Sequence, residues 1–449
     1  MPRPVADPPA EDSPPADPSL SALLADDRPL IRSARGLLTS DRTLALAANL
    51  ARTLPPAPAL NLCERRENFL AGFLALLMRG QACLLPPSRA ADVVAEVMQE
   101  HHGAYRLDDA TVERSRAPDG LAPGNLPEIP PDRVVVVGYT SGSTGRPKPN
   151  PKAWGSLVAS TRLNAGRLRE VIEEPQRGSQ PWIVATVPPQ HMYGMETSVL
   201  LPLLGGMGIH GGHPLYPADV AAALGELPAP RVLVTTPVHL RALLRSGVDL
   251  PVVAAVVSAT APLTREMAGE VERRFQAPLL EFFGSTETCV IASRRPALEA
   301  AWRTYPGVIL QPQQAGTMVD APWFRGEVLL QDVVELAEDG RFVVRGRNAD
   351  MVEVGGKRAS LADLTRRLLS VPGVADAVVF QPAGSAGAVV QRLAALVVAP
   401  GLTEVEVLAG LATAMDPVFL PRPLVLVPRL PRNDVGKLPR DQLLAALQR

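Results

Sequence analysis

Residues 138–154 read GYTSGSTGRPKPNPKAW. Thr140, Ser141, Gly142, Ser143, Thr144 and Gly145 gather backbone N–H groups and hydroxyls with little side-chain bulk, and Lys148 adds a cation. Glycine lets the backbone turn towards an anion, and hydroxyls donate to phosphate oxygens. The chemistry such a loop could do is to cradle a polyphosphate. It is not a Walker loop, because no G-x-x-x-x-G-K-[ST] occurs. Nor is it a nucleophile elbow, since G-x-S-x-G needs glycine where Ser141 stands. A flexible surface loop remains the competing reading of this stretch taken alone.

Lysine is scarce here. Of 45 Lys and Arg residues only four are lysine: Lys148, Lys152, Lys357 and Lys437. All four lie beside or near Gly or Pro. Where arginine serves as the general surface cation, a retained lysine is a candidate for a task that needs a compact ammonium. Three further stretches hold reactive residue types. FFGSTET (282–288) carries Phe283, Gly284, Thr286 and Glu287. QHMYGME (190–196) carries His191, Tyr193, Gly194 and Glu196. PRNDVGKLPR (431–440) carries Lys437.

These residues need a scaffold, and the chain supplies one. Its 449 residues are enough for two or more domains, and 46% hydrophobic content supports large cores. A net charge of −1 gives no reason to expect nucleic acid or an anionic membrane as the main partner. Three scattered cysteines, with no C-x-x-C, suggest neither a disulfide framework nor a structural zinc site. Residues 1–20 are Pro- and acid-rich and read as a disordered tail, not a signal peptide. The apolar run NFLAGFLALLM is only eleven residues long, too short for a membrane span. A cytoplasmic location is expected.

Short apolar runs alternate with helical patterns. Helices are expected in ERRENFLAGFLALLMRG, SRAADVVAEVMQEHHG, TPVHLRALLRS and TREMAGEVERRFQ. Strands are expected near ACLLPP, VVVV, WIVATV, RVLVTT, VVAAVVSA and LLEFF. Such alternation predicts parallel sheet covered by helices, with ligands bound at the carboxyl ends of the strands. Loops at 139–148, 260–262 and 284–288 fall at such ends. From about residue 326 short strands with Gly turns take over, and Ser360 with Asp363 reads as a capping box opening a helix. The fold class is α/β. A large N-terminal domain of parallel-rich sheets (21–347) is followed by a small α+β C-terminal domain (348–449).

YTSGSTGRPK, FFGSTET, DGRFVVRGRNAD and PRNDVGKLPR occur in this order. Together they resemble the motifs of the AMP-forming, adenylate-forming superfamily, which includes acyl- and aryl-CoA synthetases, over roughly residues 60–445. The resemblance implies an AMP-forming carboxylic acid–thiol ligase that uses ATP and Mg²⁺. It implies that 140–145, with Lys148, holds the β- and γ-phosphates. Phe283 stacks on adenine, with Gly284 and Ala261 of VSATAPL beside it. Thr286 touches the α-phosphate and Glu287 holds Mg²⁺. Asp332 binds the ribose hydroxyls, Arg347 is the arginine of the GR turn, and Lys437 reaches the carboxylate and α-phosphate. His191, Tyr193, Gly194 and Glu196 line the acid pocket. The C-terminal domain is implied to be mobile, with Gly355 and Gly356 meeting the pantetheine arm after it swings.

Two departures stand out. Ala349 replaces the usual acidic hinge residue, with Asp350 next to it, and the segment between Glu327 and Asp332 is short. The wording of GRPKPNPKAW and QHMYGME is similar to ligases of aryl-polyene and xanthomonadin-type pigment pathways. That points to a hydroxybenzoate-like acid, passed to an acyl carrier protein or CoA. The alternatives are a medium-chain acyl-CoA or acyl-carrier synthetase, and a non-catalytic nucleotide-binding relative.

Overall fold

The computed structural model of the chain describes residues 27–87, 89–116, 126–141, 147–172, 178–313, 315–347, 351–354, 357–382, 392–433 and 436–447. For 141, 347, 351, 353, 354 and 357–360 it describes the backbone alone. The expected tail, the residues Gly142, Ser143, Thr144 and Gly145, the pair Ala349 and Asp350, and Gly355 and Gly356 lie outside the described residues.

In chain order the first strands are β1 (Pro29–Ser33), β2 (Gly36–Thr39), β3 (Ala59–Asn61), β4 (Cys83–Leu85), β5 (Tyr105–Leu107), β6 (Val134–Ser141), β7 (Pro147–Ala153), β8 (Trp182–Ala185), β9 (Gly208–His210), β10 (Arg231–Thr235), β11 (Ala255–Ser258), β12 (Leu279–Ser285), β13 (Cys289–Arg294) and β14 (Arg303–Thr304). They form a nine-stranded sheet, β14-β13-β12-β11-β10-β8-β9-β1-β2, and a five-stranded sheet, β5-β3-β4-β6-β7. β8 to β12 pair in parallel, and antiparallel pairing is confined to the ends of each sheet. β8 and β11 are buried at every residue, as expected of parallel strands covered on both faces.

The helix Arg66–Met78 shows why periodicity is silent there: every residue from Arg66 to Leu77 is buried. It is tied to both sheets. Asn61 of β3 donates to Phe69 O at 3.0 Å, and Arg66 donates to Ala185 O at 3.2 Å and Val187 O at 3.0 Å at the end of β8.

The hairpin at the first motif corrects one expectation. Residues 139–148 are not all loop. β6 runs to Ser141 and pairs antiparallel with β7, with Thr140 opposite Lys148 and Ser141 opposite Pro147. β7 is the sheet's edge strand and contains Pro147, Pro149 and Pro151. Because they alternate, all three missing N–H groups fall on the outward side, and Lys148, Asn150 and Lys152 are left to pair with β6.

Beyond β14, β15 (Ile309–Gln313), β16 (Gly316–Asp320) and β17 (Val328–Leu330) form a small antiparallel sheet. β18 (Asp332–Leu336) and β19 (Phe342–Arg347) form a hairpin, as do β20 (Met351–Val354) and β21 (Lys357–Ser360). The helix Leu361–Leu369, β22 (Asp376–Phe380), β23 (Ala394–Val398), the helix Glu404–Ala414 and β24 (Leu424–Leu426) then share a core of their own, including Leu364, Leu368, Ala377, Val397, Leu411 and Leu424. Thr403 and Glu406 make a reciprocal capping box on the helix Glu404–Ala414. The expected box involves the side chain of Ser360, which lies outside what is described; the carboxylate of Asp363 accepts from Arg366 and Arg367. No helix among the described residues is long and apolar enough to cross a membrane.

Candidate active site

Three of the candidate segments meet at the carboxyl ends of the central strands. Gly138 of β6 is the meeting point. A Cβ there would lie 3.0 Å from Thr286 Cγ2 and 3.5 Å from Met192 Sδ. The hairpin of the first motif, the turn of FFGSTET and the segment after His191 therefore pack together. Thr140 is half-buried and its hydroxyl lies 3.4 Å from Asn150 Nδ2. Lys148 is exposed, opposite Thr140 at the end of the hairpin where β6 leads on to β7.

The turn bearing Thr286 and Glu287 is locked from inside. Ser285 N donates to Thr288 Oγ1 at 3.1 Å, while Glu287 N and Thr288 N donate to Ser285 Oγ at 3.1 and 3.3 Å. Gly284 allows the following strand to close on it: a Cβ would sit 2.0 Å from Cys289 O. Buried Lys152 donates its ammonium to the backbone oxygen of Glu287. One scarce lysine thus braces the residue expected to hold Mg²⁺. Lys152 was singled out by its rarity, but Ser285 and Thr288 carried no signal beyond being small hydroxyls in a turn.

Phe283 is partly buried. Its ring packs against Trp302 (centroids 5.2 Å apart) and Phe342 (5.4 Å), which themselves stack at 6.3 Å. Its neighbour Phe282 is in the core. Sequence reasoning did not anticipate Trp302 or Phe342, which come from distant strands. On the neighbouring loop, Thr260 beside Ala261 has φ +79°, a strained conformation for a β-branched residue. Asp332 opens β18 opposite Arg347, so these two candidates are cross-strand partners.

The QHMYGME segment becomes a helical run, Met192–Met195, continuing through a π-helical turn Glu196–Leu200. Gly194 is packed against the preceding chain, where a Cβ would lie 1.9 Å from Pro188 O. Tyr193 OH lies 3.1 Å from both Thr235 O and Val257 O, at the ends of β10 and β11. Glu196 faces a closed network rather than an open pocket. Its carboxylate accepts from Ser160 Oγ (2.8 Å), Val290 N (3.1 Å) and Asn164 Nδ2 (3.4 Å), and Tyr305 OH donates to Asn164 Oδ1 at 2.7 Å. Burial raises its pKa, offset in part by these donors and by Lys152. Glu196 so placed braces β13 against the helix Trp154–Val171.

His191 precedes this run. Burial pushes its imidazole down to about 4, and the charges of Lys437 and Arg89 push the same way. His191 is therefore neutral at pH 7, and Lys437 stands close enough to act on it. The turn carrying Lys437 is closed by Lys437 N donating to Asn433 Oδ1 and Asn433 N to Lys437 O, both at 2.8 Å. Gly436, at φ +76°, lies against Val238 of the helix Pro237–Ser246. A turn distant in sequence is thus docked over the large sheet's carboxyl edge, beside the acid-pocket segment.

Among the described residues no three His, Cys, Asp or Glu side chains group as a metal cage. Glu287 on its locked turn offers a single carboxylate. That donor set suits Mg²⁺, which takes one or two carboxylates and completes its shell from phosphate oxygens and water.

The AMP-binding enzyme family matches residues 76–322. A 4-coumarate–CoA ligase from Rhodobacter capsulatus is 30% identical over 243 residues, covering 54% of this chain and 59% of that protein. An indoleacetate–CoA ligase from Aromatoleum aromaticum is 26% identical over 373 residues, covering 75% of this chain and 71% of that protein. Among solved structures, o-succinylbenzoate CoA synthetase from Bacillus subtilis with its acyl-adenylate superposes with TM-score 0.79 at 18% identity, covering 95% of this chain and 98% of that one. An anthranilate CoA ligase with anthranoyl-AMP gives TM-score 0.79 at 16% identity, covering 97% of this chain and 98% of that one. The shared architecture is the adenylate-forming fold.

Proposed function

The chain belongs to the AMP-binding enzyme family, and we propose that it is an ATP-dependent carboxylic acid–thiol ligase. The observation that carries this reading is the docking of the Lys437 turn on the helix Pro237–Ser246, where its charge reaches His191, while Met192, the next residue, meets Thr286 at Gly138. In the first half-reaction a carboxylate oxygen attacks the α-phosphorus of ATP. The bond to the β-phosphate oxygen breaks, and pyrophosphate leaves with that electron pair. In the second, a thiol attacks the acyl carbon, its proton passes to solvent, and AMP departs.

The protein's part is positioning and charge neutralisation. Lys437 places an ammonium where charge builds between carboxylate and α-phosphate. Neutral His191 adds no competing cation beside it. Thr286 donates to the α-phosphate, and Phe283, supported by Trp302 and Phe342, offers its free surface to adenine. Asp332 accepts from the ribose hydroxyls. Thr140 to Gly145, with Lys148, hold the outer phosphates. Glu287 would hold Mg²⁺, which, when bound, neutralises phosphate charge. The small domain is taken to begin at residue 348, as its separate core supports.

The acid is proposed to be an aryl monoacid of the hydroxybenzoate class, and the acceptor CoA or an acyl carrier protein. Two matched relatives are named for aromatic acids, 4-coumarate and indoleacetate, which favours this over a medium-chain acid. ATP–pyrophosphate exchange across hydroxybenzoates, cinnamates and fatty acids tests both levels. Exchange stimulated most by an aryl acid is expected. A tenfold or greater preference for octanoate or longer chains would refute the aryl reading, and ATP binding without exchange for any acid would refute the ligase.

A further inference from the structure

The small unit touches the large one through a half-buried three-member ion cluster. The helix Pro237–Ser246 of the large unit turns Pro237, Leu240 and Leu243 inward and carries Arg241 and Arg245 one turn apart on another side. Arg241 Nη1 lies 2.9 Å from Asp376 Oδ1, at the start of β22, and Arg245 Nη2 donates to Ala375 O at 3.1 Å. The same carboxylate takes a two-pronged contact from Arg432: Nε to Oδ2 at 3.0 Å and Nη2 to Oδ1 at 2.8 Å. The remaining arm of Arg432, Nη1, donates to Gly436 O at 2.8 Å, one residue before Lys437. The three side chains are less than a fifth exposed, so this is not an ordinary surface pair.

We propose that Asp376 is a positioning residue that couples the large unit to the Lys437 turn, through Arg241 on one side and Arg432 on the other. The proposal rests on the ligase reading for its catalytic consequence. Two guanidinium groups converge on one carboxylate, and burial works against the charge of Arg241, with Asp376 compensating it and Arg432 opposing it. Docked, the cluster therefore holds two guanidinium groups against one carboxylate, one positive charge in excess. When the units part, Arg432 keeps its two-pronged partner within the small unit, and Arg241 regains water. That makes Arg241 the detachable leg, and it lets the contact open without stranding an unpaired carboxylate.

The test uses the full chain. Cys63, Cys83 and Cys289 are all buried, so spin labels go on Val252→Cys and Val405→Cys, exposed positions on the two units. Arg241→Met is compared with Arg241→Lys and Asp376→Asn, each checked for a cooperative thermal transition. In Arg241→Met the inter-label distance should broaden or lengthen. Pyrophosphate exchange should fall about tenfold, the scale of a lost coupling between contacting charges. Thioester formation from a supplied acyl-adenylate should keep its rate, and Arg241→Lys should recover most of the exchange. Asp376→Asn should behave like Arg241→Met if it folds. An unchanged distance distribution, or an equal loss in both half-reactions, overturns the proposal. No exchange in the unaltered chain, with the distance still moved by Arg241→Met, would sink the ligase reading while upholding the coupling.

Discussion

The two halves of the candidate site are held in opposite ways. The sheet-borne half, around Thr286 and Glu287, is fixed by hydrogen bonds to backbone groups and hydroxyls, buried or half-buried, within the large unit. Ser285 and Thr288 lock the turn, Lys152 reaches a backbone oxygen, and Glu196 ties β13 to a neighbouring helix. The turn-borne half, around Lys437, is exposed, and ion pairs shared by two separately cored units tether it. Buried hydrogen bonds with no exit to water favour one geometry. A cluster whose members can each find a partner or solvent permits two. The first half suits a nucleotide platform that does not change, and the second a lysine needed for only one step.

The largest expected effect falls on the detachable half. Lys437→Ala removes one preorganised donor and should lower pyrophosphate exchange by roughly 10²–10³. Lys437→Arg should fail nearly as badly, because a planar fork does not replace a compact ammonium.

On the fixed half, Glu196→Ala strands Ser160, Asn164 and Val290 N in the interior. It should cost roughly 3 kcal/mol of stability in urea unfolding. Comparable stability in the variant would mean that the network is not the brace described. Lys152→Met keeps the bulk but frees the Glu287 carbonyl. Exchange should drop about tenfold, with a raised Mg²⁺ requirement and an unchanged dependence on the acid. A shift in acid dependence instead would place Lys152 in the pocket.

A smaller effect reads the docking itself. With Lys437 removed, the His191 pKa should rise from about 4, because one of the charges depressing it is gone. An NMR titration that finds His191 unmoved would separate the two residues. His213 is likewise pushed down to about 4 by burial, with Arg66 adding to it. The unfolded chain takes up these protons first, at a pKa of about 6.5. Stability should therefore be full above about pH 6.5 and fall as pH drops towards 4. His213→Gln should flatten that slope. A slope equally steep without His213 would assign it elsewhere.

Much of the platform was legible in the sequence because parallel, doubly covered strands leave apolar runs such as WIVA and AVVS. β7 was not, since three prolines read as loop unless the strand is known to lie at an edge. The four motifs located the candidate residues. Their supports were invisible: Trp302 and Phe342 behind Phe283 come from distant strands, and Glu196 looks like a pocket residue until Ser160 and Val290 are seen beside it. The Arg241–Asp376–Arg432 cluster draws on three separated segments in a chain rich in arginine, where no local pattern marks it.

The sharpest test of a fixed platform with a removable lysine supplies Lys437→Ala with a preformed acyl-adenylate and follows thioester formation. An unchanged rate alongside crippled pyrophosphate exchange is predicted. A folded variant that loses both half-reactions together would contradict it, because Lys437 would then be needed throughout.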